Sequence, residues 1–351
     1  MDEATPSPRP DHESPTGARP RLGDVAERAG VSPASVSLVL RGAAGPSQRT
    51  RQRVLQAAAD LGYQADRTAS MLASKRSRLL GVKIDIRSAF HAELVEHLHT
   101  AAEAVGYDLV LSTETHDRDE SKAIDTLLAY RSEALILLGP TSPTDTLAAL
   151  HRRSPVIVVG RRLTATAPDA GLDVVRSSDG DGVGRTVDHL TDLGHVAIAY
   201  VDGGTGTIAT DRRRGYRTAM RRHGLAAHIR VLPGDSTEQA GEQAARRLLS
   251  EGELPTAVVA FNDRSAIGVL TTLRAAGVDV PGRVSVAGYD DDALSRLSCF
   301  SLTTVSQNAQ EQATQAVTAA VERLDGGRTD PREVVLPPRL VVRESTAAVH
   351  R

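Results

Sequence analysis

The chain of 351 residues has no Trp, three Phe, three Met and a single Cys, Cys299. One thiol excludes a disulfide framework and a Cys-rich metal site. The clearest aliphatic runs, Ala134–Leu138 and Val156–Val159, are far short of a membrane span. No His, Cys and carboxylate set has metal-ligand spacing. Gly180–Gly184 and Gly203–Gly206 follow strand-like runs, but neither completes G-x-G-x-x-G, and no G-x-x-x-x-G-K-[ST] occurs. Asp179-Gly-Asp181-Gly lacks the rest of a calcium loop. Residues 1–20 contain five Pro and no apolar stretch, so residues 1–19 read as a disordered tail and not a signal peptide. The expectation is a cytoplasmic protein with no cofactor, no metal and no membrane partner. Lys is almost absent (Lys75, Lys83, Lys122) while Arg is abundant, which we take as coding bias and not chemistry.

What is present is unevenly distributed. Hydrophobic residues make up 40% and charged residues 25%, enough apolar material for a sizeable core. The net charge of −2 hides an asymmetry. Residues 19–80 carry 11 Arg and Lys against 4 Asp and Glu; residues 81–351 carry 30 against 36. A basic head on an acidic body implies an anionic partner for the head alone.

Residues 22–61 read as three short helices. Leu22, Val25, Ala26 and Ala29 form one apolar face, and Gly30 ends it. Ser32 is the candidate cap of a second helix, Pro33–Arg41, which buries Val36, Val39 and Leu40. Ser47 caps a third, with Val54, Leu55, Ala58 and Leu61 inward and Gly62 closing it. Only Gly30-Val31-Ser32 separates the first two helices, the spacing of a helix-turn-helix. Its second helix would enter a major groove with Ala34, Ser37, Leu38 and Arg41 outward. A plain three-helix bundle with a solvated outer face is the alternative. Leu38, a large apolar residue on a face the core does not use, tells against it.

From Leu79 onward strand-like runs (79–86, 108–111, 134–138, 156–159, 196–201, 257–261, 284–287) alternate with helical patterns (92–105, 120–129, 183–193, 215–223, 238–250, 265–276). Repeated βα units predict parallel sheets with helices on both faces. About 270 residues exceed one such open sheet, so two α/β lobes with a cleft between them are expected.

Several motifs in order resemble the LacI/GalR family of bacterial transcriptional regulators. They are Asp24-Val-Ala-Glu-Arg-Ala-Gly-Val-Ser-Pro-Ala-Ser-Val-Ser-Leu-Val-Leu40, Thr50-Arg-Gln-Arg-Val54 and Leu61-Gly-Tyr63. Further along stand His189-Leu-Thr-Asp-Leu-Gly-His195, Arg212-Arg-Arg-Gly-Tyr216, Asn262-Asp263 with Ala266 and Gly268, Val284-Ser-Val-Ala-Gly-Tyr-Asp-Asp291, and Leu302-Thr-Thr-Val305 with Gln307. The resemblance covers residues 21–346. It implies an all-α helix-turn-helix head (20–64), a hinge helix and linker (65–77) and a two-lobed core similar to periplasmic sugar-binding proteins (78–346). The first lobe would take about 78–171 and 308–336, the second about 172–305 and 337–346.

The resemblance also assigns roles. Pro33, Ala34, Ser37 and Leu38 fall where the family reads base edges. Ser32, Ser35, Arg41, Ser47, Thr50 and Tyr63 fall where it touches phosphates, and hydroxyls and Arg suit that task. Residues 66–74 match the hinge helix that forms on the operator, with Ala69 and Leu72 at the minor groove, where an apolar wedge kinks the duplex. Leu72 packing on its dimer mate is the plainer reading. Phe90, His91, Arg161, Arg212, Asn262, Asp290 and Gln307 fall at the effector cleft. Carboxylate, amide and guanidinium together suit a sugar or related polyol.

Departures from the family pattern are specific. Arg21 stands where a Thr or Ser usually caps the first helix, a loss of about 1 kcal/mol. Leu38 replaces a common Arg, and Leu reaches only a thymine methyl or fills space. Asp66 replaces a common Asn. Gly234-Asp235-Ser236-Thr237 lacks the usual aromatic stacking residue, and Asn-Pro-Phe-Phe appears as Ser88-Ala89-Phe90-His91. The expected partners are double-stranded operator DNA, a small-molecule effector acting most often as an inducer, and a second copy of the chain. With no heptad repeat after Leu340–Val342, a dimer without a tetramerising tail is expected. The rival readings are a small-molecule enzyme and a solute-binding protein on the same two-lobed fold.

Overall fold

The computed structural model describes residues 20–40, 44–63, 76–163 and 171–349. The chain divides into two units, Met1–Arg76 and Ser77–Arg351.

In the first unit, α1 (Leu22–Ala29), α2 (Pro33–Leu40) and α3 (Gln48–Asp60) enclose a small core of Val25, Ala26, Ala29, Val36, Val39, Val54, Ala57 and Ala58. Gly30 ends α1 at φ +62°, a conformation that costs glycine nothing. The Arg21 side chain caps nothing, but the Asp24 carboxylate accepts from the Arg21 N–H at 2.7 Å and puts negative charge in the first turn. The cap deficit is thus partly offset. Ser32 and Ser47 accept from the Ser35 and Thr50 N–H groups, each at 3.2 Å. One inward assignment changes, and Leu22, Leu40 and Leu61 pack half-buried at the edge of this core. Leu55 is 51% exposed and Ala57 takes its place, because Leu55 sits about 100° around α3 from Val54.

The second unit has two lobes. Lobe one is a six-stranded parallel sheet in the order β11-β5-β4-β3-β1-β2. Its strands are β1 (Leu79–Asp85), β2 (Asp108–Glu114), β3 (Ala134–Leu138), β4 (Val156–Val159), β5 (Asp173–Ser177) and β11 (Glu333–Leu336). Helices α4 (Ala89–Ala104), α5 (Glu120–Ala129), α6 (Thr144–His151) and α11 (Ala309–Leu324) cover its faces. Lobe two has the parallel order β7-β6-β8-β9: β6 (Ile198–Val201), β7 (Arg230–Leu232), β8 (Ala257–Ala260) and β9 (Ser285–Ala287). Beside it β10 (Thr304–Ser306) pairs antiparallel with β12 (Arg339–Val341). Its helices are α7 (Asp179–Asp192), α8 (Thr207–Arg222), α9 (Glu238–Glu251) and α10 (Asp263–Ala275).

The lobe boundary expected at 171/172 moves. β5 pairs with β4 and β11, so lobe one runs through Ser177. Only Val174-Val175 in that strand is a continuous apolar signal, too short to read by period. The core also continues past 346: the Val349 N–H donates to the Leu193 carbonyl, and His195 Nε2 lies 3.0 Å from the Ala347 carbonyl. His195 is thereby a docking residue for the C-terminal segment, as is His189 through Thr346.

Three segments cross between the lobes, after β5, after β10 and after β11. The first and third are joined where the Ser178 N–H donates to the Leu336 carbonyl. Helix pairs in lobe two pack backbone to backbone. A Cβ on Gly241 would lie 2.0 Å from the Ser265 carbonyl oxygen, and one on Gly268 would lie 2.0 Å from that of Glu238, so α9 and α10 require glycine at their crossing. Among the described residues no helix is long and apolar enough to cross a membrane.

Candidate functional site

The outer face of the helix-turn-helix carries most of the assigned head residues. Pro33 and Ala34 are exposed at the first turn of α2, and Ser37 and Leu38 are half-buried one turn later. Ser32 and Ser35 share a hydroxyl contact of 3.0 Å at the start of α2, as Ser47 and Thr50 do at the start of α3. These hydroxyls sit at helix N-termini, where N–H groups and the macrodipole favour phosphate. Tyr63 is half-buried and packs against the head core. Arg53 donates to the Ala29 and Gly30 carbonyls, so it secures the turn between α1 and α2. Arg28 pairs with Asp60 across the head at 3.0 Å. Arg41, Asp66, Ala69, Leu72 and the rest of the 66–74 hinge segment lie outside the described residues.

In lobe two Arg212, which is 4% exposed, is the centre of a buried cluster that includes one other assigned cleft residue, Asp290. Its Nε donates to Asp179 Oδ1 at 2.7 Å, its Nη1 to the Phe261 carbonyl at 2.8 Å, and its Nη2 lies 3.5 Å from Asp290 Oδ1. The guanidinium carbon lies 3.6 Å from the Tyr289 ring centroid and 4.7 Å from that of Phe261. Burial works against its charge, yet Asp179 and Asp290 hold the guanidinium above its ordinary value.

The glycine-rich stretches find their reason here. A Cβ on Gly182 would lie 2.4 Å from the Tyr289 hydroxyl, and one on Gly203 would lie 2.3 Å from the Phe261 ring. They are close-packing positions beneath the two rings that hold Arg212. Asp179, Phe261 and Tyr289 were not singled out from the sequence for any role in the cleft. Tyr289 was visible only as a member of the 284–291 motif.

Asp290 sits in a left-handed backbone conformation, φ +117°, and its Oδ1 accepts from Gln307 Nε2 at 2.7 Å. Burial pushes its carboxyl up to about 7, against the pull of Arg212 and with added repulsion from Asp292. Gln307 lies on the second crossing segment, so it ties Asp290 to the hinge. Asn262 is committed locally: its Oδ1 caps α10 at the Ser265 N–H, and its Nδ2 donates to the Ser236 carbonyl.

Lobe one contributes differently from expectation. Phe90 is 7% exposed and belongs to the lobe-one core, because the first turn of α4 turns it onto the sheet. His91, beside it, has its Nδ1 accepting from the Asp85 N–H at 3.1 Å. That fixes the neutral tautomer with hydrogen on Nε2. Burial and the nearby Lys83 push the imidazole down to about 4. Its Nε2 borders Gly139, which also approaches Ile208 of lobe two, and has no acceptor among the described residues. Arg161 is 9% exposed; its Nη2 donates to the Ser142 carbonyl at 2.7 Å and its Nε is buried without a partner. A support not foreseen from the sequence lies behind it. Lys83, 1% exposed, reaches Glu114 at 2.9 Å and Glu120 at 3.0 Å, and Glu120 holds the Thr141 and Ser142 N–H groups.

The lobes touch through charged side chains. Arg162 reaches Asp211 at 2.7 Å, Arg296 reaches Glu93 at 3.1 Å, and Arg264 donates to the Arg87 carbonyl.

A helix-turn-helix unit followed in the chain by a hinged two-lobed core with buried polar groups at the seam is the build of a ligand-responsive DNA-binding regulator. Residues 21–66 match the family described as bacterial regulatory proteins, lacI family, and residues 187–346 the periplasmic binding protein-like domain. The HTH-type transcriptional regulator GalR of Escherichia coli K12 is 32% identical over 330 residues, 93% of this chain and 95% of its own length. A LacI transcriptional regulator from a Rhodococcus species is 43% identical, with a TM-score of 0.73 over 77% of this chain and 99% of that one. The lac repressor dimer bound to operator and the anti-inducer ONPF is 29% identical, with a TM-score of 0.80 over 94% of this chain and 100% of that one. The chain belongs to the LacI/GalR family of transcriptional regulators.

Proposed function

We propose that this protein is a cytoplasmic, homodimeric repressor whose operator affinity is set by a sugar or related polyhydroxylated metabolite in the inter-lobe cleft. The observation that carries the cleft reading is the ring-flanked Arg212 with Asp290 beside it at the seam. Its chemistry revises the contacts. Arg212 and Asn262 spend most of their bonding capacity within the protein, so they shape the cleft more than they grip the ligand. The groups with bonding capacity left for a hydroxylated ligand are the His91 Nε2–H, the Asp290 carboxyl and the Arg161 Nε–H, which is buried in this lobe arrangement and would need to be uncovered. The rings of Phe261 and Tyr289 are committed to Arg212, which leaves polar recognition without a stacking platform. A ligand seated there moves operator affinity only by preferring one lobe arrangement over another.

In the head, Pro33, Ala34, Ser37 and Leu38 read base edges in this proposal. Ser32, Ser35, Arg41, Ser47, Thr50 and Tyr63 fix register on phosphates, and Ala69 and Leu72 enter the minor groove. Two heads on a pseudo-palindrome double the few base contacts that one head can make. The test is fluorescence anisotropy of the full chain on DNA from its own upstream region, with and without metabolites that raise its melting temperature. Specific binding that a stabilising sugar or nucleoside shifts by tenfold or more supports the proposal. Equal affinity for the upstream fragment and a scrambled one at every salt concentration overturns it.

A further inference from the structure

A groove of about 560 Å3 is lined by residues of both lobes. Lobe one supplies Arg162 and Arg176 to it; lobe two supplies Arg185, Arg214 and Arg222 from α7 and α8. A volume of this size suits a small metabolite. Glycines form part of its lining, Gly180, Gly184 and Gly215. The two helices cross so closely there that a Cβ on Gly215 would lie 2.4 Å from the Gly180 carbonyl oxygen.

The charges around the groove are not all spent. Arg162 pairs with Asp211, Arg176 with Glu333 and Arg222 with Asp188. Asp179 is neutralised from the other side by Arg212, and the Asp181 carboxylate takes a hydrogen bond from the Ser178 hydroxyl at 2.6 Å. Arg185 and Arg214 are exposed and have no ion-pair partner among the described residues. The structure thus places two exposed guanidiniums without an ion-pair partner, one on each helix, along the same groove. Guanidinium binds phosphoryl and carboxylate oxygens through paired N–H groups, more strongly than neutral donors do. Asp181 and Asp188, at the same rim, would accept from hydroxyls.

We propose that this groove is an accessory site for a small anionic metabolite, a phosphorylated or carboxylated hydroxy compound, clamped by Arg185 and Arg214. It is separate from the cleft ligand and lies on groups the cleft reading does not use. Because Arg162 belongs to lobe one and Arg185 and Arg214 to lobe two, its occupant touches both lobes and biases their arrangement.

The test is calorimetric titration of the full chain with inorganic pyrophosphate and, separately, citrate, at constant ionic strength. The basic head also attracts polyanions, so the comparison is between the wild type, Arg185→Gln/Arg214→Gln in the groove and Arg49→Gln in the head. Both groove arginines are exposed, so an unchanged melting temperature verifies folding. The expected result is binding of at least one probe, weakened about tenfold or more by the groove substitutions and less than twofold by Arg49→Gln. Pyrophosphate binding selects the phosphoryl class and citrate binding the carboxylate class. No binding of either probe, or equal loss in the groove and head variants, overturns the proposal. Asp290→Ala keeps the two readings apart, since it removes a cleft group and leaves Arg185 and Arg214 in place: probe binding retained while a cleft ligand's stabilisation is lost separates the two sites.

Discussion

Replacing Arg212 by Ala should unfold the core more readily instead of merely removing a ligand contact. The guanidinium is 4% exposed and its partner Asp179 5%. It faces two carboxylates, at 2.7 Å and 3.5 Å, and two aromatic rings. Removing one partner of such a buried pair costs about 3–5 kcal/mol, because the remaining charge is left without compensation. At about 2–4 °C per kcal/mol for a domain of this size, Tm should fall by roughly 10 °C. The pH dependence has a definite sign. Burial already raises the Asp179 and Asp290 carboxyls against the pull of Arg212, and without Arg212 they hold protons more tightly still. Stability of the variant then declines as pH rises, and its deficit against the wild type is smallest near pH 5 and largest above pH 8. Calorimetry of the full chain at both ends of that range reads the effect. A fall of less than 2 °C, or a deficit independent of pH, would refute the buried-pair argument.

Other consequences can be checked in parallel. The Asp290 carboxyl is raised from an ordinary 3.8 to about 7, so its stabilising contribution is complete at low pH and is lost as pH rises through 7. Asp290→Asn should therefore gain in Tm relative to the wild type between pH 5 and pH 8, and should lose effector-induced stabilisation; a constant difference across that range contradicts the burial argument. Gly268→Ala must push α10 away from the Glu238 carbonyl and should cost about 1–3 kcal/mol in urea unfolding, whereas an unchanged midpoint would deny the close crossing. Operator binding should fall with salt at a log–log slope of about −0.9 per phosphate contact. Arg49 stands exposed in the first turn of α3, between Ser47 and Thr50, so Arg49→Ala should flatten that slope by about one contact, while Arg53→Ala, which removes the tie to the Ala29 and Gly30 carbonyls, should lower head stability and leave the slope unchanged.

What could be read from sequence was what repeats or punctuates. The three head helices are legible because Gly30, Ser32 and Ser47 act locally, through a positive φ and two hydroxyl caps. The long central strands are legible because Ala134–Leu138 and Val156–Val159 are continuous apolar runs. α11 escaped notice because its buried face is mostly Ala309, Ala313, Ala316, Ala319 and Ala320, which carry little hydrophobic contrast. α6 buries only Leu147 and Ala148 among its apolar residues, and β5 has only two consecutive valines, so neither announces itself. In the cleft, residue types were informative but their commitments were not. Arg212 and Asn262 look like ligand donors in one dimension. Only the fold brings Asp179, the Phe261 carbonyl and the Ser236 carbonyl to them, from 33, 49 and 26 residues away. Gly182 and Gly203 likewise resemble phosphate-loop glycines until the rings above them are in place.

These commitments bear on how the lobes can switch. The seam is bridged by Arg162–Asp211, Arg296–Glu93 and the Arg264 contact to the Arg87 carbonyl, all with partly exposed side chains. Exposed pairs of this kind contribute about 0–1 kcal/mol each. Together they bias the lobe arrangement by an amount comparable to one modest ligand preference, and they do not lock it. An effector with a tenfold preference between arrangements, about 1.4 kcal/mol, can therefore compete with the seam. The hinge itself is stiffer. Gln307 joins a crossing segment to Asp290, Gln312 donates to the Gln307 carbonyl at 2.9 Å, and the Ser178 N–H joins two crossings. Motion is then expected as rotation about these bonded crossings, with the exposed cross-lobe pairs exchanging partners and the Arg212 cluster moving intact with lobe two.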